Sequence, residues 1–110
     1  MSNNHLDCLA ACNACADACD TCTVSCLRSD HVQAMTRCIE LTLDCAAVCR
    51  LAASFVARKS SFAKQLCALC AEVCESCAAE CGQHAHDHCQ ACAAACRKCA
   101  EECRKMIAAS

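Results

Sequence analysis

The sequence predicts an all-α protein, an antiparallel up-down-up-down four-helix bundle with a cysteine-lined core. The composition favours helix, because the chain has no Pro, one Gly and abundant Ala, Glu, Lys and Arg. The 19 cysteines recur at gaps of three and four residues, the spacing of one face of an α-helix. Short polar breaks divide the chain into four helix-length segments, and short connections favour antiparallel neighbours.

The first predicted helix, at about 4–27, carries six cysteines on one face: Cys8, Cys12, Cys15, Cys19, Cys22 and Cys26. At about 100° per residue these side chains fall within roughly 80° of arc. At a rise of about 1.5 Å per residue they form a column roughly 27 Å long. A face that would ordinarily be leucine is therefore a column of thiols.

The second predicted helix, at about 31–58, has Asp30 as its expected N-cap. It carries only Cys38, Cys45 and Cys49 on the matching line. More of its circumference is apolar than on the other helices, through Ile39, Leu41, Leu43, Val48, Leu51 and Phe55. A helix with so wide an apolar surface usually meets a second surface, so we expect it to be a contact between copies of the chain.

The third and fourth predicted helices, at about 61–82 and 87–107, form an internal repeat offset by 22 residues. Both show cysteine gaps of three, four, three, four: Cys67, Cys70, Cys74, Cys77 and Cys81, then Cys89, Cys92, Cys96, Cys99 and Cys103. Ser60 or Ser61 is the expected cap of the third helix and Gly82 its expected left-handed terminator. We expect residues 1–110 to form one domain.

The predicted topology gathers different residues at the two ends of the bundle. The histidine end collects Cys26, His31, Met35, Cys81, His84, His86, His88 and Cys89. The distal end collects Phe55, Val56, Phe62, Leu66, Met106 and Ile107 around Cys8, Cys49, Cys67 and Cys103. We expect the first to be a mouth at which His31, Met35, His84, His86 and His88 help to bind metal, and the second to be closed by hydrophobic side chains. His5 is expected to be exposed to solvent.

The cysteines predict metal binding rather than disulfides. Their number is odd, and neighbours in one helical column point the same way rather than at each other. No secretory signal is recognisable, so we expect a cytoplasmic protein, in which thiols stay reduced. A core that used cysteine only for packing would be underfilled, because thiols replace larger side chains.

Thiolates favour Cu(I), zinc and iron–sulfur clusters. Each Cu(I) neutralises one thiolate, whereas a zinc ion with four unshared thiolates leaves a buried charge of −2 that no inward Lys or Arg balances. We therefore expect a binding protein, not an enzyme, that holds multiple Cu(I) ions on all 19 cysteines. A zinc- or cadmium-sequestering thiol protein is the alternative, and an iron–sulfur or redox protein is a weaker one.

Two classes of partner are disfavoured. The net charge is −2 with histidine neutral, and no basic patch with interleaved aromatic residues is present, so nucleic acid is not expected as a partner. No stretch is long and apolar enough to suggest a membrane span.

The whole chain resembles the cytosolic copper storage proteins of bacteria. The match is close at Cys67-Ala68-Leu69-Cys70-Ala71 and through residues 80–92. This resemblance implies Cu(I) storage in a thiol-filled four-helix bundle, with the inward cysteines as ligands and further sites near the histidine end. It also implies a homotetramer, and a copper chaperone is a possible partner.

Overall fold

The computed structural model describes residues 4–109, and they form four long helices joined by short connections. Helix α1 spans Asn4–Leu27, α2 spans Thr36–Ala57, α3 spans Ala63–Cys81 and α4 spans Asp87–Ala109. A short 3-10 turn, Val32–Met35, precedes α2. No β-strand occurs within these residues, so the predicted all-α class is confirmed.

The four helices pack as a square. Helix α1 contacts α2 and α4, and α3 contacts the same two helices, so α1 and α3 lie on one diagonal. The bundle measures 47 × 19 × 17 Å, which makes it a long, narrow rod. The short connections make each helix antiparallel to its neighbours, as an up-down-up-down bundle requires. None of the helices in the described part of the chain is long and apolar enough to cross a membrane.

Helix α2 begins later than the sequence predicts. It starts at Thr36 rather than at residue 31, and its N-cap residue, Met35, makes no side-chain capping bond. Asp30 is therefore not its cap, because the 3-10 turn intervenes. Helix α3 likewise starts at Ala63 rather than at residue 61, and the hydroxyl of Ser60 instead accepts a hydrogen bond from the Phe62 N–H at 3.1 Å.

The prediction of a left-handed Gly82 was wrong. Gly82 has φ −62° and ψ −18°, and its N–H donates to the Ala78 carbonyl at 2.9 Å, so it extends α3 in the right-handed conformation. The left-handed residue lies after α2 instead, at Lys59, with φ 53°. There the Ser60 N–H donates to the Phe55 carbonyl at 3.0 Å, a bond typical of a helix that ends in a left-handed residue.

The core is a tube of cysteine side chains flanked by alanines. All 19 cysteines have no solvent exposure, and alanines such as Ala16, Ala52 and Ala93 are equally buried. Larger buried side chains are few, with Met35, Val56 and Thr42 the bulkiest. Thr42 occupies the α2 cysteine line, and its hydroxyl lies 2.6 Å from that of Thr23 on α1.

The apolar surface of α2 is narrower than the sequence suggests. Leu41 and Val48 are buried inside this chain, and Ile39 and Phe55 pack partly against the core. Leu43 and Leu51 stay about half exposed. The apolar surface that α2 leaves exposed is therefore a stripe and not most of the helix.

Candidate metal centre

The cysteine columns of the four helices converge on the axis of the bundle. All 19 thiols are free, and each is fully buried. Neighbouring sulfur atoms lie between 3.1 and 4.0 Å apart, within columns and across them. Cys15 on α1, for example, lies 3.8 Å from Cys45 on α2, 3.9 Å from Cys74 on α3 and 3.6 Å from Cys96 on α4.

Several sets of four sulfur atoms lie within 4.8 Å of one another, a spacing that could hold a metal ion. Cys15, Cys19, Cys96 and Cys99 each belong to two of these sets, so the sets overlap along the tube. Five of the sets are Cys12, Cys70, Cys99 and Cys103; Cys15, Cys49, Cys74 and Cys99; Cys15, Cys19, Cys45 and Cys96; Cys19, Cys77, Cys92 and Cys96; and Cys22, Cys26, Cys38 and Cys89.

The histidine end adds a nitrogen ligand to the last of these sets. The Nδ1 atom of His88 lies 3.5 Å from the sulfurs of Cys22 and Cys89 and 4.0 Å from that of Cys26. His88 is half-buried at the start of α4, one residue before Cys89. The arrangement places one nitrogen atom and three sulfur atoms where they could hold a metal ion together.

The other residues predicted at this end differ in position. The ring of His86 stacks on that of His88, with centroids 5.3 Å apart and planes 9° apart. His84 lies one helical turn beyond Glu80, and its Nε2 donates to that carboxylate at 2.9 Å. Met35 is buried, whereas His31 is exposed and, within residues 4–109, its ring has no polar contact. His86 thus contacts His88, His84 pairs with Glu80 instead, and His31 joins neither.

Burial determines the protonation states of Cys38, Cys89 and His88 at the histidine end. Burial raises the pKa of the Cys89 thiol to about 12 and also raises the pKa of Cys38. The pKa of His88 is lowered, first by burial and then by the neighbouring His86. Near neutral pH these two thiols are therefore protonated and the imidazole is neutral, with a lone pair available to a metal ion.

The interior holds no cation that could balance thiolates. In the described part of the chain the buried polar or charged side chains are Thr23, Thr42 and Glu102. Glu102 faces outward to Lys98, at 2.9 Å. A set of thiolates in this tube would therefore have to be neutralised by bound metal cations.

The hydrophobic closure expected at the distal end is incomplete. Val56 and Met106 are buried, but Phe62 is 60% exposed. A cavity of about 420 Å³ opens there, and it is lined in part by His5, which is half-buried rather than exposed as expected. The sequence did not predict that His5 lines this cavity. A signal was present, because His5 precedes Cys8 by three residues and so continues the spacing of the α1 column.

The fold and the site together define a class of protein: a four-helix bundle with a continuous thiol core built for soft metal ions. The model of the copper storage protein family matches residues 1–108 of the chain. The chain belongs to the copper storage protein family.

Solved structures of similar proteins agree with this assignment. The Cu(I)-bound copper storage protein BsCsp3 is 46% identical, with a TM-score of 0.91 over 96% of this chain and 99% of that one. Apo-Csp3 from Bacillus subtilis is 49% identical, with a TM-score of 0.86 over 91% and 95%. A cytosolic copper storage protein from Streptomyces lividans, with five coppers, is 35% identical, with a TM-score of 0.92 over 96% and 92%.

A curated protein of Bacillus subtilis also matches part of the chain. It is described as an uncharacterised cysteine-rich protein, YhjQ, and is 48% identical over 59 residues. The match spans 54% of this chain and 55% of that protein, so only about half of its length is compared.

Proposed function

We propose that this chain stores multiple Cu(I) ions in the tube, with all 19 cysteines as ligands and residues 1–110 acting as one storage domain. The observation that supports this most is the overlap of the four-sulfur sets, in which single thiols belong to two sets. A thiolate shared between two sets is placed to bridge two ions. Capacity is then on the order of one Cu(I) per thiol.

Charge favours Cu(I) over zinc in this interior. One Cu(I) for each thiolate leaves a neutral core, and the described residues bury no Lys or Arg that could balance excess thiolate charge. Zinc sites with four unshared thiolates would each carry −2, and each would need four cysteines of its own. Overlapping sets cannot supply separate cysteines to every ion.

The likeness to relatives supports both cargo and location. One solved structure is Cu(I)-bound, and another is of a cytosolic protein with five coppers. By analogy, we place this chain in the cytoplasm and its activity in binding and release without turnover.

Copper enters at the histidine end in this proposal. His88 and its neighbours Cys22 and Cys89 form the first site, and His86, His84 and Met35 assist at the mouth, whereas the exposed His31 takes no part. A copper chaperone would deliver Cu(I) by ligand exchange, and the ions would then pass between neighbouring thiols. Because Cys38 and Cys89 are protonated near neutral pH, loading releases about one proton per thiolate formed.

We infer that the bundles associate as a homotetramer through the stripe of Leu43, Ala47 and Leu51 on α2. These residues are exposed and follow one another at four-residue intervals on one helix face. Sedimentation of the wild-type chain and of L43E/L51E tests the contact, with L69E, a change of a half-exposed leucine on α3, as the matched control. A wild-type monomer would contradict it.

The decisive experiment is anaerobic titration of the fully reduced protein with Cu(I), and separately with Zn(II), in competition with a chromophoric chelator. We expect copper binding to saturate near one ion per thiol, and zinc to saturate at far fewer ions. Saturation at only a few coppers would contradict storage. Iron and acid-labile sulfide in the isolated protein would instead favour a redox protein.

A further inference from the structure

At the distal end, the helix faces that carry the cysteines continue for one more layer beyond the terminal cysteine of each helix. On α1, His5 precedes Cys8 by three residues, and on α4, Met106 follows Cys103 by three. On α2 and α3 the corresponding positions are Val56 and Ala63. Helical spacing therefore places these four residues in one further layer of the bundle, on the faces that carry the thiols.

The structure brings all four members of this layer to one cavity. His5, Val56, Ala63 and Met106 line the opening of about 420 Å³ at the distal end. Val56, Ala63 and Met106 are buried and His5 is half-buried. Two of the four carry soft or borderline metal ligands, an imidazole and a thioether, and they belong to helices that pack against each other.

Three thiols form the next layer inward. The sulfur of Cys8 lies 3.8 Å from that of Cys67 and 3.8 Å from that of Cys103. His5 and Cys8 are separated by about 4.5 Å along the axis of α1, at a rise of about 1.5 Å per residue. The layer of His5 and Met106 thus lies between the cavity and the thiol tube.

The charge around the cavity differs from that at the histidine end. Lys59 and Lys64 line the distal opening, and among residues 4–109 none of those that line it is acidic. At the histidine end, Glu80 contacts His84 and Asp87 precedes His88. Cationic rims attract anions, and Cu(I) bound to small thiols is an anionic complex.

We propose that the distal end is a second copper port, at which His5 and Met106 receive Cu(I) from anionic complexes with low-molecular-weight thiols. The proposal rests on the proposed storage function, because it adds an entrance to the same tube. Two sources of copper would then enter at different ends. Anionic complexes with small thiols enter at the lysine-lined end, and a copper chaperone delivers at the histidine end.

The exchange at this port balances without a change of oxidation state. The imidazole nitrogen of His5 and the thioether sulfur of Met106 displace the small thiolates from Cu(I), which remains Cu(I). For a complex of Cu(I) with two small thiolates, two of the three thiols of Cys8, Cys67 and Cys103 then bind the ion as thiolates and release two protons. The departing small thiolates accept those protons and leave as neutral thiols.

The test measures uptake of the Cu(I)–glutathione complex under anaerobic conditions, with the histidine end weakened by H84A/H88A. We expect that variant still to load, and we expect H5A/M106L in the same background to slow uptake at least about tenfold, the lower range for changes around a metal site. L6A is the matched control for α1, because Leu6 is 60% exposed and adjacent to His5. An equal uptake rate with and without H5A/M106L overturns the port.

A second readout uses the wild-type protein and needs no substitution at the site. The ring nitrogens of His5 are followed by NMR as Cu(I)–glutathione is added stepwise, from below one equivalent to several equivalents. A shift of His5 is expected. Loading of several equivalents with an unshifted His5 overturns the port and leaves storage intact, whereas a shifted His5 without further loading supports the port and contradicts storage.

Discussion

The sulfur atoms of Cys38 and Cys81 lie 3.1 Å apart, closer than the other sulfur pairs in contact within residues 4–109, which are at 3.5 Å or more. Cys38 is the first cysteine of α2 and Cys81 is the last residue of α3. The pair therefore bridges two adjacent helices at the histidine end. Judged by the distance between sulfur atoms, this pair is the one best placed to form a disulfide on oxidation.

We predict that Cys38 and Cys81 form the first disulfide when the apo protein is treated with hydrogen peroxide. The sulfurs need approach by only about 1 Å to reach a bond of about 2.05 Å. Two thiols and one peroxide give one disulfide and two waters. Alkylation and peptide mass mapping identify the pair; C38S removes this disulfide and should slow the first loss of free thiol, with C77S as the control. Oxidation spread evenly over the 19 cysteines would contradict the prediction.

The apo protein should lose stability at alkaline pH. Burial raises the folded-state pKa of Cys89 to about 12, against 9.0 for an unperturbed thiol, and raises that of Cys38 as well. The unfolded chain therefore releases these protons first, so the free energy of unfolding falls as pH rises from about 9 to about 12. Urea unfolding followed by circular dichroism at several pH values measures it. A free energy independent of pH in this range would exclude the effect.

Replacing His88 with Ala should slow copper uptake without changing the final stoichiometry by more than about one ion. His88 lies 3.5 Å from two thiols at the mouth, while the thiols deeper in the tube are untouched. A slowing of about tenfold or more is expected for a lost group at a metal site. Stopped-flow uptake from a copper-loaded carrier gives the rate. H31A is the matched control, since His31 is exposed and its ring makes no polar contact in the described region.

Glu102 should matter for apo stability far more than its neighbour Glu101. Glu102 is 3% exposed, accepts a hydrogen bond from the Lys98 ammonium at 2.9 Å, and lies 3.6 Å from the Lys105 ammonium as an ion pair. E102A should cost about 1–3 kcal/mol, because it removes a buried and bonded carboxylate. E101A removes only an exposed pair with Lys105 and should cost less than about 1 kcal/mol. If urea unfolding gave the same decrease in the free energy of unfolding for E102A and E101A, the burial of Glu102 would make no contribution to stability.

Thr42 occupies a core position at which one more thiol could be added to the tube. It is fully buried on the α2 cysteine line, between Cys38 and Cys45. T42C should raise copper capacity by about one ion, because it adds a twentieth thiol next to existing ones. T42V is the matched control, since both changes remove the hydroxyl contact with Thr23 while only one adds sulfur. Anaerobic titration that gives both variants the wild-type capacity would refute the prediction.

The periodicity of the sequence predicted the helices and the burial of every thiol, because side chains three and four residues apart share one helical face. Both ends of α1 and the start of α4 agree with the sequence, but the starts of α2 and α3 and the conformation of Gly82 differ from it. Asp30 and Gly82 carry standard capping signals, yet α2 starts after a 3-10 turn and α3 ends in a right-handed residue. Capping signals are local, and the packing of neighbouring helices decides where a chain turns.

By itself, the sequence determined the class of the protein, because 19 cysteines on in-phase helical faces admit few other arrangements. Only the tertiary structure decided which thiols are shared between sets, that His88 contacts the tube and His31 does not, and that His5 and Met106 line one opening. The reason is geometric. Helical spacing fixes the direction of a side chain around its own axis, whereas distances of 3–4 Å between helices depend on how far each helix has slid along and rotated against its neighbours.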